Sequence, residues 1–309
     1  MRIACFASQR SILYARKDDL YLLEKKAFLE SFHYGIHLLD GATGTSLIRA
    51  GMPRGCCQEA WILEHPEALT ELQRSYAEAG SEIIYAPTFQ ANELALGRHG
   101  LDADITSINA QLIALTRKAA PDCLIAGNLT TLRAYLDPAD ESSYDRMTSV
   151  YRKQIRALCQ GGADLLAAET LLHPLEAKAV LYAAREEGVS TVMISFALKP
   201  DGTLRSGHDA ETVFAELEQE GAAALGMNCI AADDMLPPLV NRLKKRISVP
   251  LICKPNTGRA VAGVRPVDLP MFTDVMRRCM ENGAALVGGC CGTTPEHIAA
   301  LSSIRKNLS

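Results

Sequence analysis

The sequence predicts an α/β fold, a single (β/α)8 TIM barrel. Two observations carry that expectation. Short apolar runs recur at regular intervals along the chain, and helical segments between them end in glycine. The runs are IHLLD (36–40), SEIIYAPTF (81–89), CLIAGNL (123–129), ADLLAAET (163–170), TVMISFAL (191–198), AAALGMNC (222–229), VPLICKPN (249–256) and AALVGGCC (284–291). Each is nearly continuous rather than alternating, as expected of strands covered on both faces in a parallel sheet.

The helical segments follow in order. HPEALTELQRSYAEAG (65–80) has apolar residues at three- and four-residue spacing, Pro66 at an early helical position and Gly80 as a stop. Residues 143–162 and 173–188 end the same way, at Gly162 and Gly188. Gly221 and Gly283 stand at two further helix-to-strand links, where glycine supplies a left-handed turn. Eight such alternations in one chain of 309 residues fit a closed barrel. The competing arrangement is an open doubly wound sheet, which carries a Gly-rich nucleotide loop after its first strand. DGATGT (40–45) lacks that spacing. Residues 36–309 are therefore read as the barrel, and residues 1–35 as an N-terminal extension or capping segment.

Composition narrows the function. The chain is 48% hydrophobic and 22% charged, with net charge −4, an ordinary globular balance. A slightly acidic chain argues against nucleic acid as partner. No apolar run approaches the roughly 20 residues of a membrane span, and the first residues lack a signal-peptide core. The expected location is the cytoplasm, where the 10 cysteines stay largely reduced.

VGGCCGTTPEH (287–297) places two adjacent cysteines at the end of the last run. Neighbouring Cα atoms lie about 3.8 Å apart, whereas a disulfide favours about 5.5 Å. A shared metal ion is the better reason for the pair. Chemistry in such a barrel sits where strands end, on the C-terminal face. Cys229 ends the sixth run, and Cys290 and Cys291 end the eighth, so three thiols fall on one rim. Three thiolates with a fourth position open are a catalytic zinc pattern. Taken singly, each cysteine also suits burial as a small hydrophobe. Cys56 and Cys57, also vicinal, are read as loop packing, and Cys5, Cys123, Cys159, Cys253 and Cys279 as inert. His33 and His37 are spaced by chance, while His65, His173 and His297 sit at helix starts in local structural roles.

Two acids reach the same rim, Asp40 from the first run and Glu169 from the fourth. They suit helix capping or pairing with rim arginines, or charge-assisted binding of a substrate ammonium. The amides around Gly41, Ala42 and Gly44 suit a carboxylate. Together these groups would hold a zwitterionic amino acid bearing a thiol.

LLDGATGT, HPEALTELQRSYAEAGSEIIYAPTFQAN, ADLLAAETLLHPLEAKA, GMNC, KPNTG and VGGCCGTTPEHI together resemble the homocysteine S-methyltransferase family. The resemblance spans residues from about 36 to 300, and its G-x-N-C and G-G-C-C-G-T elements are the most specific. It implies zinc ligands at Cys229, Cys290 and Cys291 and homocysteine-binding acids at Asp40 and Glu169. It also implies carboxylate-binding amides at Gly41 and Ala42, and a pocket lined by Thr88 and Phe89. The implied activity is zinc-dependent methyl transfer from an activated donor to the thiolate of homocysteine, giving methionine.

The implied donor is a small molecule, such as a sulfonium or quaternary amine, or a separate methylcorrinoid protein. The chain departs from common family patterns at Thr43, at Ala86 and Pro87, and over residues 127–136, near the mouth where a donor approaches. The alternative reading is a component of a corrinoid-dependent demethylation system acting on a different methylated substrate.

Overall fold

Each of the eight apolar runs becomes one strand of a closed parallel ring. The computed structural model describes residues 14–17, 20–32, 34–258 and 267–308. Cys5 and His33 lie outside the described residues. The barrel strands are β3 (His37–Leu38), β4 (Ile83–Tyr85), β5 (Leu124–Thr130), β6 (Leu165–Leu171), β7 (Val192–Ala197), β8 (Ala224–Ala231), β9 (Leu251–Asn256) and β10 (Ala284–Val287). Each from β4 to β9 pairs with its successor, and β10 returns to pair with β3. All of these pairings are parallel. A bridge between Leu39 and Ile83 closes the remaining seam, helped by the Glu82 N–H donating to the Leu38 carbonyl at 2.7 Å.

The outer helices come where the glycine stops predict them. Helix α4 (Pro66–Ala79) has Pro66 in its first turn and Gly80 at its C-terminal cap, with φ 111°. Helices α7 (Tyr144–Gln160) and α8 (Pro174–Glu186) are followed by left-handed Gly162 and Gly188. The left-handed cap satisfies the last carbonyls of a helix at little steric cost for glycine. The remaining outer helices are α2 (Gly44–Arg49), α3 (Gln58–Glu64), α5 (Glu93–Gly97), α6 (Ile105–Ala119), α9 (Ala210–Gln219), α10 (Leu236–Lys244), α11 (Leu269–Glu281) and α12 (Pro295–Leu308).

Side chains alternate across each strand and divide the apolar residues into two shells. Ile125, Leu166, Ala168, Val192, Ile194, Leu225, Leu251 and Val287 face outward into the layer beneath the helices. Leu39, Ile83, Leu124, Ala126, Leu165, Ala167, Met193, Ala224, Ile252 and Leu286 form the barrel interior. The interior cluster also contains Leu23, Phe28 and Phe32, which come from before the first barrel strand. Residues Leu20–Leu23 form β2, paired antiparallel with β1 (Tyr14–Lys17), and α1 (Lys25–Phe32) follows. Phe28 and Phe32 stack at 4.9 Å and are fully buried. The segment is tied on by Leu23 N–H to the Asp164 carbonyl (2.9 Å) and by Lys25 Nζ to the Gly221 carbonyl (3.0 Å).

Three of the strand ends that differ from the apolar runs shape the rim. Strand β4 stops at Tyr85, two residues before Pro87, which has no N–H to offer a ladder. Strand β10 stops at Val287, ahead of Gly288 and Gly289. Strand β8 continues to Ala231, so Cys229 lies inside it rather than at its end.

Candidate metal and substrate site

The C-terminal half of the barrel interior is polar. In each central strand the inward positions turn from apolar to polar at the same height. Leu124 and Ala126 lead to Asn128, Leu165 and Ala167 to Glu169, Met193 to Ser195, and Ile252 to Lys254 and Asn256. Asp40 follows β3 and joins this layer, as does Asn228 from β8.

The three expected thiols converge. Sulfur atoms of Cys229, Cys290 and Cys291 all lie within 4.8 Å of one another, and Cys229 Sγ is 2.9 Å from Cys290 Sγ. All three are half-buried and none is in a disulfide. Among the described residues this is the one His/Cys/Asp/Glu group compact enough to hold a metal ion. Three soft sulfur donors aimed at one point suit zinc, and thiolates hold it far better than they hold magnesium or calcium. The proximity shows in their acidity. Hydrogen bonds from Cys229 and Cys290 hold the Cys291 thiol below the ordinary thiol range, while hydrogen bonds to Cys290 and Cys291 push Cys229 up.

Backbone conformation sets this convergence. Cys229 has φ 53° and Thr170 has φ 61°, the two left-handed non-glycine residues among those described. Each falls at a register break, between Asn228 and Ala231 in the β8–β9 ladder and between Ala168 and Leu171 in the β6–β7 ladder. A bulge re-aims a side chain at the rim of a barrel. A left-handed non-glycine residue costs of order 1–3 kcal/mol and persists only where the surroundings hold it. Here the fully buried Asn228 holds both breaks. Its Oδ1 accepts from Thr170 N–H (2.9 Å) and from the Ser195 hydroxyl (3.1 Å). Its Nδ2 donates to Thr170 Oγ1 at 2.7 Å and lies 3.8 Å from Cys290 Sγ.

The Gly-Gly-Cys-Cys segment is fitted as closely. Cys290 N–H donates to the Pro255 carbonyl at 2.9 Å and Gly289 N–H to the Asp40 carbonyl at 3.0 Å. The Thr293 hydroxyl donates to the Cys290 carbonyl at 2.8 Å. A Cβ at Gly289 would come within 2.3 Å of Thr293 Oγ1, and one at Gly288 within 2.6 Å of the Asp40 carbonyl oxygen. The turn therefore admits no side chain at either position.

Asp40 and Glu169 come together around a lysine that the sequence reading did not assign. Lys254 Nζ lies 3.0 Å from Asp40 Oδ1 and 3.7 Å from Glu169 Oε2, and 3.6 Å from the centre of the Tyr85 ring. Lys254 is 3% exposed and Asp40 1%, while Glu169 is 14% exposed. Asp40 Oδ2 accepts from Tyr85 N–H (2.9 Å), and Glu169 Oε1 from Asn128 Nδ2 (2.8 Å). Burial pushes both carboxyls up from their ordinary range, and Lys254 pulls both back. Burial draws Lys254 down, but the carboxylates of Asp40 and Glu169 outweigh it and hold the ammonium charged. Period-two counting along β9 from Asn256 would have placed Lys254 in this layer beforehand.

The other expected residues have definite places. The Ala42 amide donates to Thr293 Oγ1 at 3.1 Å, and its carbonyl accepts from Tyr76 OH at 2.9 Å. A substrate carboxylate at the Ala42 amide would have to displace that hydroxyl. Gly41 lies against the Tyr76 ring, which would meet any Cβ there at 2.7 Å. The buried Thr88 hydroxyl donates to the Asn128 carbonyl and accepts from the Asn128 N–H, both at 2.9 Å, and so ties its loop to β5. Phe89 is half-buried in the turn beyond.

Cysteines and histidines set aside in the sequence have local partners. Cys56 Sγ reaches the Pro53 carbonyl at 3.1 Å, and Cys57, at the residue before α3, has its Sγ 3.8 Å from Glu59 Oε2. Cys123, Cys159, Cys253 and Cys279 are buried in the core. His37 pairs with Glu82. His65 stacks on Trp61, His173 caps α8, and His297 bonds Thr294 ahead of α12.

A barrel carrying a polar interior layer and a three-thiol cluster on its C-terminal rim defines a class, and comparison with known proteins gives it a name. The chain belongs to the homocysteine S-methyltransferase family, whose model matches residues 37–304. Homocysteine S-methyltransferase of Escherichia coli is 31% identical over 87% of this chain and 94% of that protein. The metallated crystal form of the E. coli homocysteine methyltransferase MmuM superposes with TM-score 0.76 at 30% identity, covering 89% of this chain and 99% of that one. Methionine synthase of Mycobacterium leprae is 25% identical over 89% of this chain, which spans only 25% of that longer protein. No helix among the described residues is long and apolar enough to cross a membrane.

Proposed function

We propose that the protein transfers a methyl group to the thiolate of homocysteine, giving methionine, with zinc held by Cys229, Cys290 and Cys291. The observation that carries this reading is the convergence of those three sulfurs beside a buried acidic layer in a chain of this family. A free thiol with a pKa near 8.5 is only about 3% thiolate at pH 7. Bound zinc supplies a Lewis acid that lowers the pKa of the acceptor thiol and so raises its thiolate fraction at neutral pH.

The chain's own groups do the rest. We assign Asp40 and Glu169 to the end of the pocket that receives the amino acid portion of the acceptor, with the Gly41 and Ala42 amides toward its carboxylate. Thr88 and Phe89 shape the wall between. Fixing the acceptor sulfur in line with the donor methyl converts an encounter into an oriented displacement. The sulfur lone pair forms the new S–CH3 bond, and the electrons of the donor–CH3 bond leave with the donor. The methyl donor is a small molecule or a separate methylcorrinoid protein approaching the C-terminal face. A set of reduced thiols fits a cytoplasmic location. Residues 1–35 serve as a cap on the barrel of residues 36–309.

The test has two parts. Elemental analysis of the purified protein should find one zinc per chain, and Cys290→Ser should lose it while keeping the circular-dichroism spectrum. Zinc-loaded protein should then form methionine from homocysteine with one of S-methylmethionine, betaine, methylfolate or methylcobalamin. Undiminished zinc in the Cys290→Ser protein would remove the metal assignment, and methionine from none of the donors would remove the reaction.

A further inference from the structure

Lys254 stands where an amino acid's ammonium group would be expected. Of the four carboxylate oxygens of Asp40 and Glu169, one accepts from the Tyr85 amide, one from the Asn128 side chain, and the other two face Lys254 Nζ at 3.0 and 3.7 Å. The ring of Tyr85 covers the same ammonium at 3.6 Å. The side chain springs from β9, in the middle of the barrel wall, and is 3% exposed. Withdrawing it would leave the buried Asp40 and the largely covered Glu169 without their cation, which is strongly unfavourable. A second ammonium entering beside it would meet a like charge at close range, in a site of low dielectric. Two negative charges and one resident positive charge leave one net negative charge in the layer, and of the three groups Glu169 is the most exposed, at 14%.

We propose that Lys254 is a built-in replacement for the substrate's amino group, so that the site accepts thiols without one: ω-mercapto carboxylates as well as homocysteine. This rests on the reading of the site as a thiol-acceptor pocket, and it makes Lys254 the residue that sets acceptor breadth. In a pocket where the acids lacked an internal cation, loss of the substrate ammonium would remove a charge-assisted contact, worth roughly ten- to a hundredfold in affinity. With Lys254 present, much of that difference is already supplied by the protein.

The experiment is isothermal titration calorimetry of zinc-loaded protein with L-homocysteine and with 4-mercaptobutyrate, the same thiol lacking the amino group. Wild-type protein should bind the two within about tenfold of each other. Lys254→Gln should widen the gap to about a hundredfold in favour of homocysteine, because the freed carboxylates then need the substrate's cation. A merely structural lysine would weaken both ligands alike and leave their ratio unmoved, which overturns the proposal. So does a wild-type preference for homocysteine of a hundredfold or more, a result that needs no variant and stands even if Lys254→Gln fails to fold. Homocysteine binding tightly while 4-mercaptobutyrate does not would sink this inference alone. Failure of both thiols to bind would sink the acceptor-pocket reading along with it.

Discussion

At the scale of single residues, the site depends on one asparagine as much as on its cysteines. Asn228 supports the left-handed turns at Thr170 and Cys229 and touches Cys290, using both ends of its amide. Asn228→Ala would leave the Thr170 N–H and the Ser195 hydroxyl without their acceptor. An unpaired buried donor costs about 1–3 kcal/mol, so the urea midpoint should fall accordingly. Zinc affinity, measured by competition with a chromophoric chelator, should fall too, although all three thiols remain. An unaltered zinc affinity would mean that Cys229 holds its conformation unaided. Residue-level reading of the sequence reached the thiols and the two acids because their types are unusual at strand ends. It missed Asn228, Asn128 and Lys254 because each lies within a run that reads as ordinary buried strand.

At the scale of elements, the short strands β3 and β4 make the thinnest part of the ring. Their seam is held by the Leu39–Ile83 bridge and by Glu82, whose carboxylate pairs with His37 on β3 (2.5 Å) and with Arg305 on α12. Burial pushes the Glu82 carboxyl up, but His37 and Arg305 outweigh it and hold it below the usual carboxylate range. A carboxyl depressed in the folded state adds stability above its unfolded pKa and loses it as pH falls through the folded value. Glu82→Gln should therefore cost about 1–2 kcal/mol near pH 7. The wild-type and variant curves of stability against pH should converge once the pH falls below the depressed pKa of Glu82, where the wild-type carboxyl is itself protonated. Parallel curves across that range would show that the charge of Glu82 does not clamp the seam. Helix positions were legible from the glycine stops, since a left-handed cap leaves a one-residue signature. Strand ends were not, because regular pairing stops at Tyr85 and Val287, ahead of Pro87 and of Gly288, within runs that continue beyond them.

At the scale of the whole molecule, the barrel is filled from both ends. Apolar side chains from the strands pack the lower interior, and α1 closes it with Phe28 and Phe32. Truncating a buried phenylalanine removes its burial and leaves a cavity, together worth about 3–5 kcal/mol. Phe28→Ala should lower the unfolding midpoint by that measure while leaving bound zinc per folded chain unchanged, because the thiols lie at the opposite end. A midpoint within error of wild type would show that the segment before the barrel adds nothing to its stability. The polar layer above this core is where the barrel exchanges stability for chemistry: it buries a lysine and Asp40, with Glu169 largely covered beside them, groups that a core alone would exclude.

The sequence by itself determined the ring of eight strands, the helix stops and the family, because hydrophobic periodicity and glycine caps act over a few residues and are written locally. It also located three thiols and two acids, since those side chains are conspicuous against an apolar background. Only the tertiary structure decided that β8 turns left-handed at Cys229 and that Asn228 holds it there. The same is true of Lys254 between the two acids. Asp40 and Lys254 are 214 positions apart in the chain, and whether a buried charge finds a partner depends on distances of a few ångströms that closure of the barrel alone establishes.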